Sequence, residues 1–358
     1  MPYRAITGIA MFDLRSDTVT TPTQAMLRAM LESPTGDDGF GEDASTNLLE
    51  ERCSEMFGKE AAVFMPSGTM SNQIALRIHT RPGDEVIVDE SYHFNVYESA
   101  PSADLGGVSL CTLQCDKGIL TPDAIDAAID AKCRDPRYAR PTLVSLENTI
   151  NYRNGRVVPL PDLQRIHEFA RTRGMGVHLD GARLFNAMVA SGTSAREYGA
   201  VADTVSVCFA KGLGAPFGSM LIGSEALMAQ ARYYRKSYGG ALHQSGHLAG
   251  AALHALEHHI DRLAEDHQSA AALARLLAEH KSVRVDLEEV QSNIVILDTA
   301  PSGVSAAALA SAAQGQGLLV TPIAKHKVRF VTHMGVNVED CISAAKIFAG
   351  TLDQFASA

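Results

Sequence analysis

Short β-rich runs alternate with helical stretches along most of this chain, and that alternation constrains its fold more than any other feature. Glu85–Asp89, Gly107–Cys111, Thr142–Leu146, Gly176–Leu179, Thr204–Cys208 and Gly218–Ile222 are short and largely apolar, while Pro122–Ala131 and Pro161–Thr172 read as helices between them. Strands this apolar need cover on both faces, which a mainly parallel sheet between helical layers provides. From about Gly246 the composition turns to Ala, Leu, His and Glu, and His247–Glu279 reads as long helices. Asn293–Leu297 and Val328–Val331 then predict the strands of a smaller α+β part. The chain shows no repeat, low-complexity tract or flexible linker, so the parts are expected to pack together.

Composition narrows the function classes. A chain of 358 residues with 46% hydrophobic and 20% charged residues has the make-up of a soluble globular protein. Its net charge of −10 argues against nucleic acid or an anionic membrane as partner, since both demand basic surface. One basic cluster survives, Arg232-Tyr-Tyr-Arg235-Lys236, readable as a solvated helix face or as an anion contact to a neighbouring subunit. Cysteines 53, 111, 115, 133, 208 and 341 form no CxxC pair and read as reduced thiols. No secretory signal and no membrane-length apolar run are recognised, which predicts a cytoplasmic location. His243/His247 and His254/His258 have the i,i+4 spacing of a zinc pair, but neither carries the carboxylate of an HExxH motif, and no metal is expected.

The chemistry concentrates where strands end. Lys211 follows the apolar run Val205–Ala210 and precedes Gly-Leu-Gly-Ala-Pro, so its amine stands at a strand end with backbone free to approach a ligand. Asp180 ends another apolar-rich run, Met175–Leu179. Taken singly, these are a surface lysine in a Gly-rich turn and an Asp capping a helix. Together they supply what pyridoxal phosphate requires: an amine for a Schiff base and a carboxylate for the pyridinium nitrogen. They lie 31 residues apart (211 − 180), about one strand–connection–strand unit. Ser67-Gly68-Thr69 opens a predicted helix after the run Ala61–Met65; small residues there suit a phosphate or an ordinary Ser67 N-cap. Gly212-x-Gly214-x-x-x-Gly218 is not a dinucleotide fingerprint, because its last spacing is wrong and no apolar helix follows.

These stretches jointly resemble the low-specificity threonine aldolases, fold type I pyridoxal-phosphate enzymes of the aspartate-aminotransferase-like kind. The likeness runs nearly end to end: Asp13-Leu-Arg-Ser16-Asp17-Thr-Val-Thr, Thr35–Asp43, Pro66-Ser-Gly-Thr69-Met-Ser-Asn, Tyr92-His93, Glu147-Asn-Thr149, Gly155-Arg156-Val, His178-Leu-Asp-Gly-Ala-Arg183-Leu-Phe-Asn186, Lys211-Gly-Leu-Gly-Ala-Pro, Arg235-Lys236-x-x-Gly-Gly and Arg329-Phe-Val-Thr-His333. It implies that Lys211 holds the cofactor, Asp180 pairs with its ring nitrogen and Arg183 lies near its phenolic oxygen. Gly68 and Thr69 would hold the phosphate and His93 would stack on the ring, while Ser16 and Arg329 would clamp the substrate carboxylate. Lys236 and His243 are the candidates for contacts crossing to an adjacent subunit, in a homodimer or a tetramer of two dimers with shared sites.

Two departures bear on the reaction. The family usually reads Glu-Asn-Thr-His-Asn, its His contacting the substrate's β-hydroxyl; here the residue is Ile150, which neither accepts nor donates a proton. The family's Arg before Gln-Ser-Gly is here His243, a weaker and pH-dependent charge. The resemblance implies cleavage of a β-hydroxy-α-amino acid of the threonine type to glycine and an aldehyde, or the reverse. Ile150 leaves β-elimination, racemisation or an aldol condensation or transaldolation on an unusual amino acid as rivals, with His93 a candidate base; as a substrate contact it would accommodate a bulky or apolar β-substituent. A non-catalytic scaffold of the same fold is the alternative from another class. The expected organisation is an N-terminal segment 1–11, a large cofactor-binding domain 12–255 and a small α+β domain 256–358.

Overall fold

The computed structural model describes residues 11–132, 135 and 137–356. Residues 1–10 of the expected N-terminal segment, and Cys133, lie outside the described residues. The strands in chain order are β1 (Phe12–Asp13), β2 (Ala61–Met65), β3 (Glu85–Asp89), β4 (Ser109–Leu113), β5 (Pro141–Glu147), β6 (Gly176–Gly181), β7 (Thr204–Cys208), β8 (Ser219–Gly223), β9 (Ile294–Asp298), β10 (Leu318–Leu319), β11 (Thr321–Ala324) and β12 (Lys327–Val331).

Seven of them form one sheet in the order β2-β8-β7-β6-β5-β3-β4. Pairings among β4, β3, β5, β6 and β7 are parallel; β8 runs antiparallel to both of its neighbours. The fold is therefore α/β with a mainly parallel sheet. The reversal at β8 follows from the connection before it: the chain turns straight back after Lys211 instead of crossing over through a helix. Two glycines make that turn possible. Gly214 (φ +76°) has Met334 Sδ where a Cβ would sit, 2.2 Å away, and at Gly218 (φ +97°) a Cβ would meet the Phe64 ring at 2.5 Å. Residues in β3, β6, β7 and β8 are almost all buried, as strands covered on both faces must be. The helix Gly68–His79 supplies part of that cover through Ile74, Ala75 and Leu76.

The later part has its own apolar cluster, in which Leu273, Val295, Leu297 and Phe330 pack with Phe348 of the helix Val338–Ala356. Its sheet, β11-β12-β9, is antiparallel. Along β12, Val328 and Phe330 enter that cluster, so Arg329 between them takes the opposite face. Three features here were not anticipated: β11, the helix Ala306–Gly315, and the parallel pairing of β1 with β10. That pairing, with Leu14 inside the later cluster, draws the chain's beginning onto the C-terminal part and carries Ser16 and Asp17 beside Arg329. No helix among the described residues is long and apolar enough to cross a membrane.

Candidate active site

The site forms where parallel strands end together. Glu147 closes β5 and is paired in register with Asp180 on β6, which in turn faces Ser206 on β7, the strand that leads to Lys211. This is the C-terminal edge of the sheet, where open α/β folds place ligands. Asp89 ends β3; its carboxylate accepts the N–H groups of Ser91 (2.9 Å) and Cys115 (3.0 Å), fixing the turn from which the short helix His93–Val96 starts.

Asp180 is 2% exposed, accepting from Asn72 Nδ2 (2.8 Å) and the Ala182 N–H (3.0 Å). Asn72 is a fully engaged hub. It also donates to Glu98 (3.0 Å), and its oxygen lies 2.9 Å from Ser206 Oγ, which donates, and 3.2 Å from His178 Nε2. Burial pushes the His178 pKa down to about 3, so its ring is neutral. Glu98 also pairs with His93 Nδ1 at 2.7 Å. Burial opposes charge on His93, but that hydrogen bond and the carboxylates of Asp180 and Glu147 prevail and raise its pKa. Glu147 accepts the backbone N–H groups of both His93 and Asn151; burial, then Asp180, pushes its pKa up to about 7.

Arginines occupy the other side. Asp17, with no exposed surface, takes Arg183 in a bidentate pair (2.7 Å for each bond) and also accepts from Asn293 (3.1 Å). Burial acts against its ionisation, yet Arg183 and Lys211 hold its pKa down at about 2. Asn151 Oδ1 accepts from Arg183 (3.4 Å) and Arg329 (3.1 Å), bridging the two guanidinium groups. Arg329 also donates to the Arg15 carbonyl (3.2 Å), while its Nε is buried without a partner. Ser16 lies one residue from Asp17 and caps its own turn by accepting from the Thr18 N–H at 3.2 Å.

The residues present fit the pyridoxal phosphate that the sequence implies. Three buried carboxyl groups, Asp180, Glu98 and Glu147, surround a single imidazole, a surplus of acid that a protonated ring nitrogen would complement. Lys211, half-buried, makes no side-chain hydrogen bond or ion pair among the described residues, and Thr20 holds its carbonyl at 3.4 Å. At Gly68 a Cβ would lie 2.7 Å from Cys208 Sγ, so only glycine lets the helix start lie on the end of β7. Ser67 accepts from the Met70 N–H and its carbonyl takes that of Ser71, leaving those of Gly68 and Thr69 as the open donors of the first turn.

The structure therefore brings Lys211, Asp180, His93, Gly68 and Thr69 to one sheet edge, and Arg183, Arg329 and Ser16 to its C-terminal side. Arg183 is engaged by Asp17, a partner the sequence did not suggest. Two expectations need correction. The basic cluster is only partly a solvated face: Arg232 and Lys236 are exposed, Arg232 pairing with Glu50, while Arg235 is buried against Asp38 (2.5 Å). Ile150 is fully buried in the main apolar cluster, beside Gly118, while its backbone pairs with Arg156; it walls no open cleft. Ile150→His is accordingly expected to cost about 1–3 kcal/mol of stability, read by urea denaturation, by placing a polar ring in an apolar cluster, without raising threonine cleavage per folded molecule.

His243 is exposed and pairs with Asp37 at 2.9 Å. Gly240, near Lys236 in sequence, packs against Pro66 and Met70, so this turn borders the Gly68 loop. Among the His pairs, His254 and His258 have ring centroids 4.5 Å apart, whereas the group of metal-type side chains found among the described residues is His93, Glu98 and Asp180. Sequence reasoning assigned no role to Asn72, Glu98, Glu147, Asn151 or Asp17. A signal existed for Glu147: like Asp180, it is a carboxylate ending an apolar strand.

Residues 13–300 match the family described as beta-eliminating lyase. The chain is 38% identical over 346 residues to the low specificity L-threonine aldolase of Escherichia coli strain K12, covering 94% of this chain and 97% of that protein. To low-specificity L-threonine aldolase 1 of Arabidopsis thaliana it is 38% identical over 335 residues, covering 92% of each. In fold it is similar to Leishmania major threonine aldolase (TM-score 0.81, 20% identity, 95% of this chain and 99% of that one). It is similar also to Sphingomonas wittichii serine palmitoyltransferase (TM-score 0.75, 19% identity, 98% and 89%).

Proposed function

Because the chain belongs to the beta-eliminating lyase family, alongside the low-specificity threonine aldolases, we propose that it cleaves a β-hydroxy-α-amino acid of the threonine type into glycine and an aldehyde. It is a pyridoxal-phosphate-dependent lyase of fold type I. The observation that supports the reading is that Asp180 lies on β6 beside β7, the strand that leads to Lys211, with two arginines joined through Asn151.

In this reading Lys211 would offer the amine that holds the cofactor, Asp180 would keep its ring nitrogen protonated, and His93 would cover the ring. Gly68 and Thr69 would offer backbone N–H groups to the phosphate. Arg183, fixed by Asp17, would serve the phenolic oxygen. Ser16 and Arg329 take the substrate's α-carboxylate, the planar guanidinium giving a two-point contact. When bound, the cofactor supplies the electron sink for charge left at Cα. The protein's task is to orient the Cα–Cβ bond for breaking and to accept the β-hydroxyl proton. As that bond breaks, the β-oxygen becomes the aldehyde carbonyl, and Cα gains a proton to give glycine. His93, partly exposed and wired to Glu98, is the imidazole placed to move that proton.

Product analysis tests the reading. Mass spectrometry of reactions with β-hydroxy, β-leaving-group and simple amino acids should find glycine and an aldehyde; ammonia with a keto acid instead would make it a β-eliminating enzyme. Arg329→Lys should raise KM with cofactor content unchanged, lowering kcat/KM by about 2–4 kcal/mol, roughly 30- to 1,000-fold, because lysine has no planar fork. Unchanged kinetics would remove Arg329 from the site.

The proposed organisation is a large cofactor domain, 12–255, a small domain, 256–358, and a homodimer or tetramer of two dimers in the cytoplasm. Exposed Phe40 and Tyr233, close in sequence to Asp37 and Lys236, support an apolar contact there, with Lys236 and His243 reaching a neighbour's site. Light scattering at micromolar concentration checks it; a monomer with full activity would reject it.

A further inference from the structure

We propose that Tyr97 and Tyr152 form a phenol pair that recognises the substrate's β-hydroxyl group, Tyr97 donating the hydrogen bond and Tyr152 positioning Tyr97. The inference rests on the aldolase reading above and names the contact that Ile150, buried in the core, does not make.

Tyr97 follows His93 by one helical turn, and their rings lie 4.9 Å apart between centroids. Tyr152 comes directly after Asn151, the residue that bridges Arg183 and Arg329. The two tyrosine rings are 5.7 Å apart, and the Tyr152 O–H donates to Tyr97 Oη at 2.8 Å. Both phenols lie close enough to Arg329 to act on its charge. Tyr97 therefore packs beside the imidazole assigned to the ring face and lies within electrostatic reach of the guanidinium assigned to the α-carboxylate. In an α-amino acid the carbon next to the one bearing the carboxylate is Cβ, so the β-substituent falls in the space these groups enclose.

Donor arithmetic then separates the two roles. Tyr152 has spent its proton on Tyr97, and burial, then the bond to Tyr97, raises its pKa, so it stays a protonated donor. Tyr97 has accepted that bond, and its own O–H has no acceptor among the described residues, while the residue is 49% exposed. A hydroxyl that already accepts one hydrogen bond is a stronger donor for the next. The free donor at this place is suited to a substrate oxygen on Cβ.

The test compares wild type, Tyr97→Phe and Tyr152→Phe, both of which keep the rings. Each holoenzyme is titrated with L-serine, L-alanine and glycine, following the initial change in the cofactor's visible absorbance, and threonine cleavage is assayed in parallel. Serine and alanine differ only in the β-hydroxyl. Tyr97→Phe should lower the serine-to-alanine affinity ratio by roughly 3- to 10-fold, the scale of one half-exposed hydrogen bond. Tyr152→Phe should lower it by less, and glycine affinity should stay at the wild-type value in both. An unchanged ratio, a wild type with no preference for serine, or an equal loss of glycine binding would overturn the proposal. If the ratio falls as expected but threonine yields no glycine, the phenol pair stands and the aldolase reading fails.

Discussion

Lys211→Ala is expected to abolish amino-acid cleavage, by roughly 10⁴-fold or more, the scale on which enzymes fail when their covalent nucleophile is removed. The protein should still fold, because the Lys211 amine makes no hydrogen bond or ion pair among the described residues whose loss would need replacing. Borohydride reduction of the wild-type holoenzyme, followed by peptide mapping, should place the pyridoxyl group on Lys211. Competing lysines are poorly situated: Lys59 donates to the Ala202 carbonyl (2.7 Å), Lys132 pairs with Glu85, and Lys236 and Lys325 are exposed. Label on Lys236 or Lys325, or a Lys211→Ala variant that retains activity, would remove Lys211 from its assigned role.

Asp17→Asn is expected to produce the largest loss of stability among single changes at the site, about 3–5 kcal/mol, because it strands Arg183 in the interior without a counter-charge. An asparagine has one acceptor oxygen where the carboxylate offers two, so the bidentate geometry is lost as well. Glu147 also acts on the Arg183 charge but makes no hydrogen bond to it, so it would not replace the lost pair. The sign of the pH dependence follows from the direction of the shift. The Asp17 pKa falls from 3.8 to about 2 on folding, so its contribution is present above about pH 4 and disappears as pH falls towards 2. Urea denaturation of both proteins across that range checks it: the wild type should lose part of its advantage on acidification, and the variant should lack that slope. A difference below about 1 kcal/mol at neutral pH would show that Asp17 does not hold Arg183 in solution.

How much of this was legible in the sequence depended on how far apart the interacting residues lie along it. Each of the six apolar runs first recognised lies on or overlaps a sheet strand, although the expected Gly107–Cys111 is shifted to Ser109–Leu113. The Ser67 cap at the start of Gly68–His79 needs only neighbouring residues, and so was readable. Asp180 and Lys211 stood out because a charged residue closing a buried strand is expensive unless it serves something.

Chain alone determined the layering of the fold, the strand ends at which charged groups emerge, and the family to which its motifs belong. Tertiary structure decided which groups meet. Asp17 and Arg183 are 166 residues apart and find each other only because β1 pairs with β10. Arg329 faces the site because Val328 and Phe330 take the core side of β12. Ile150 and Asn151 are adjacent, yet one is buried in the main cluster and the other joins two arginines. The physical reason is that hydrophobic periodicity encodes which side of an element is buried, a local property. Hydrogen-bond and ion-pair partners are chosen by the packing of distant elements, and no local pattern carries that choice.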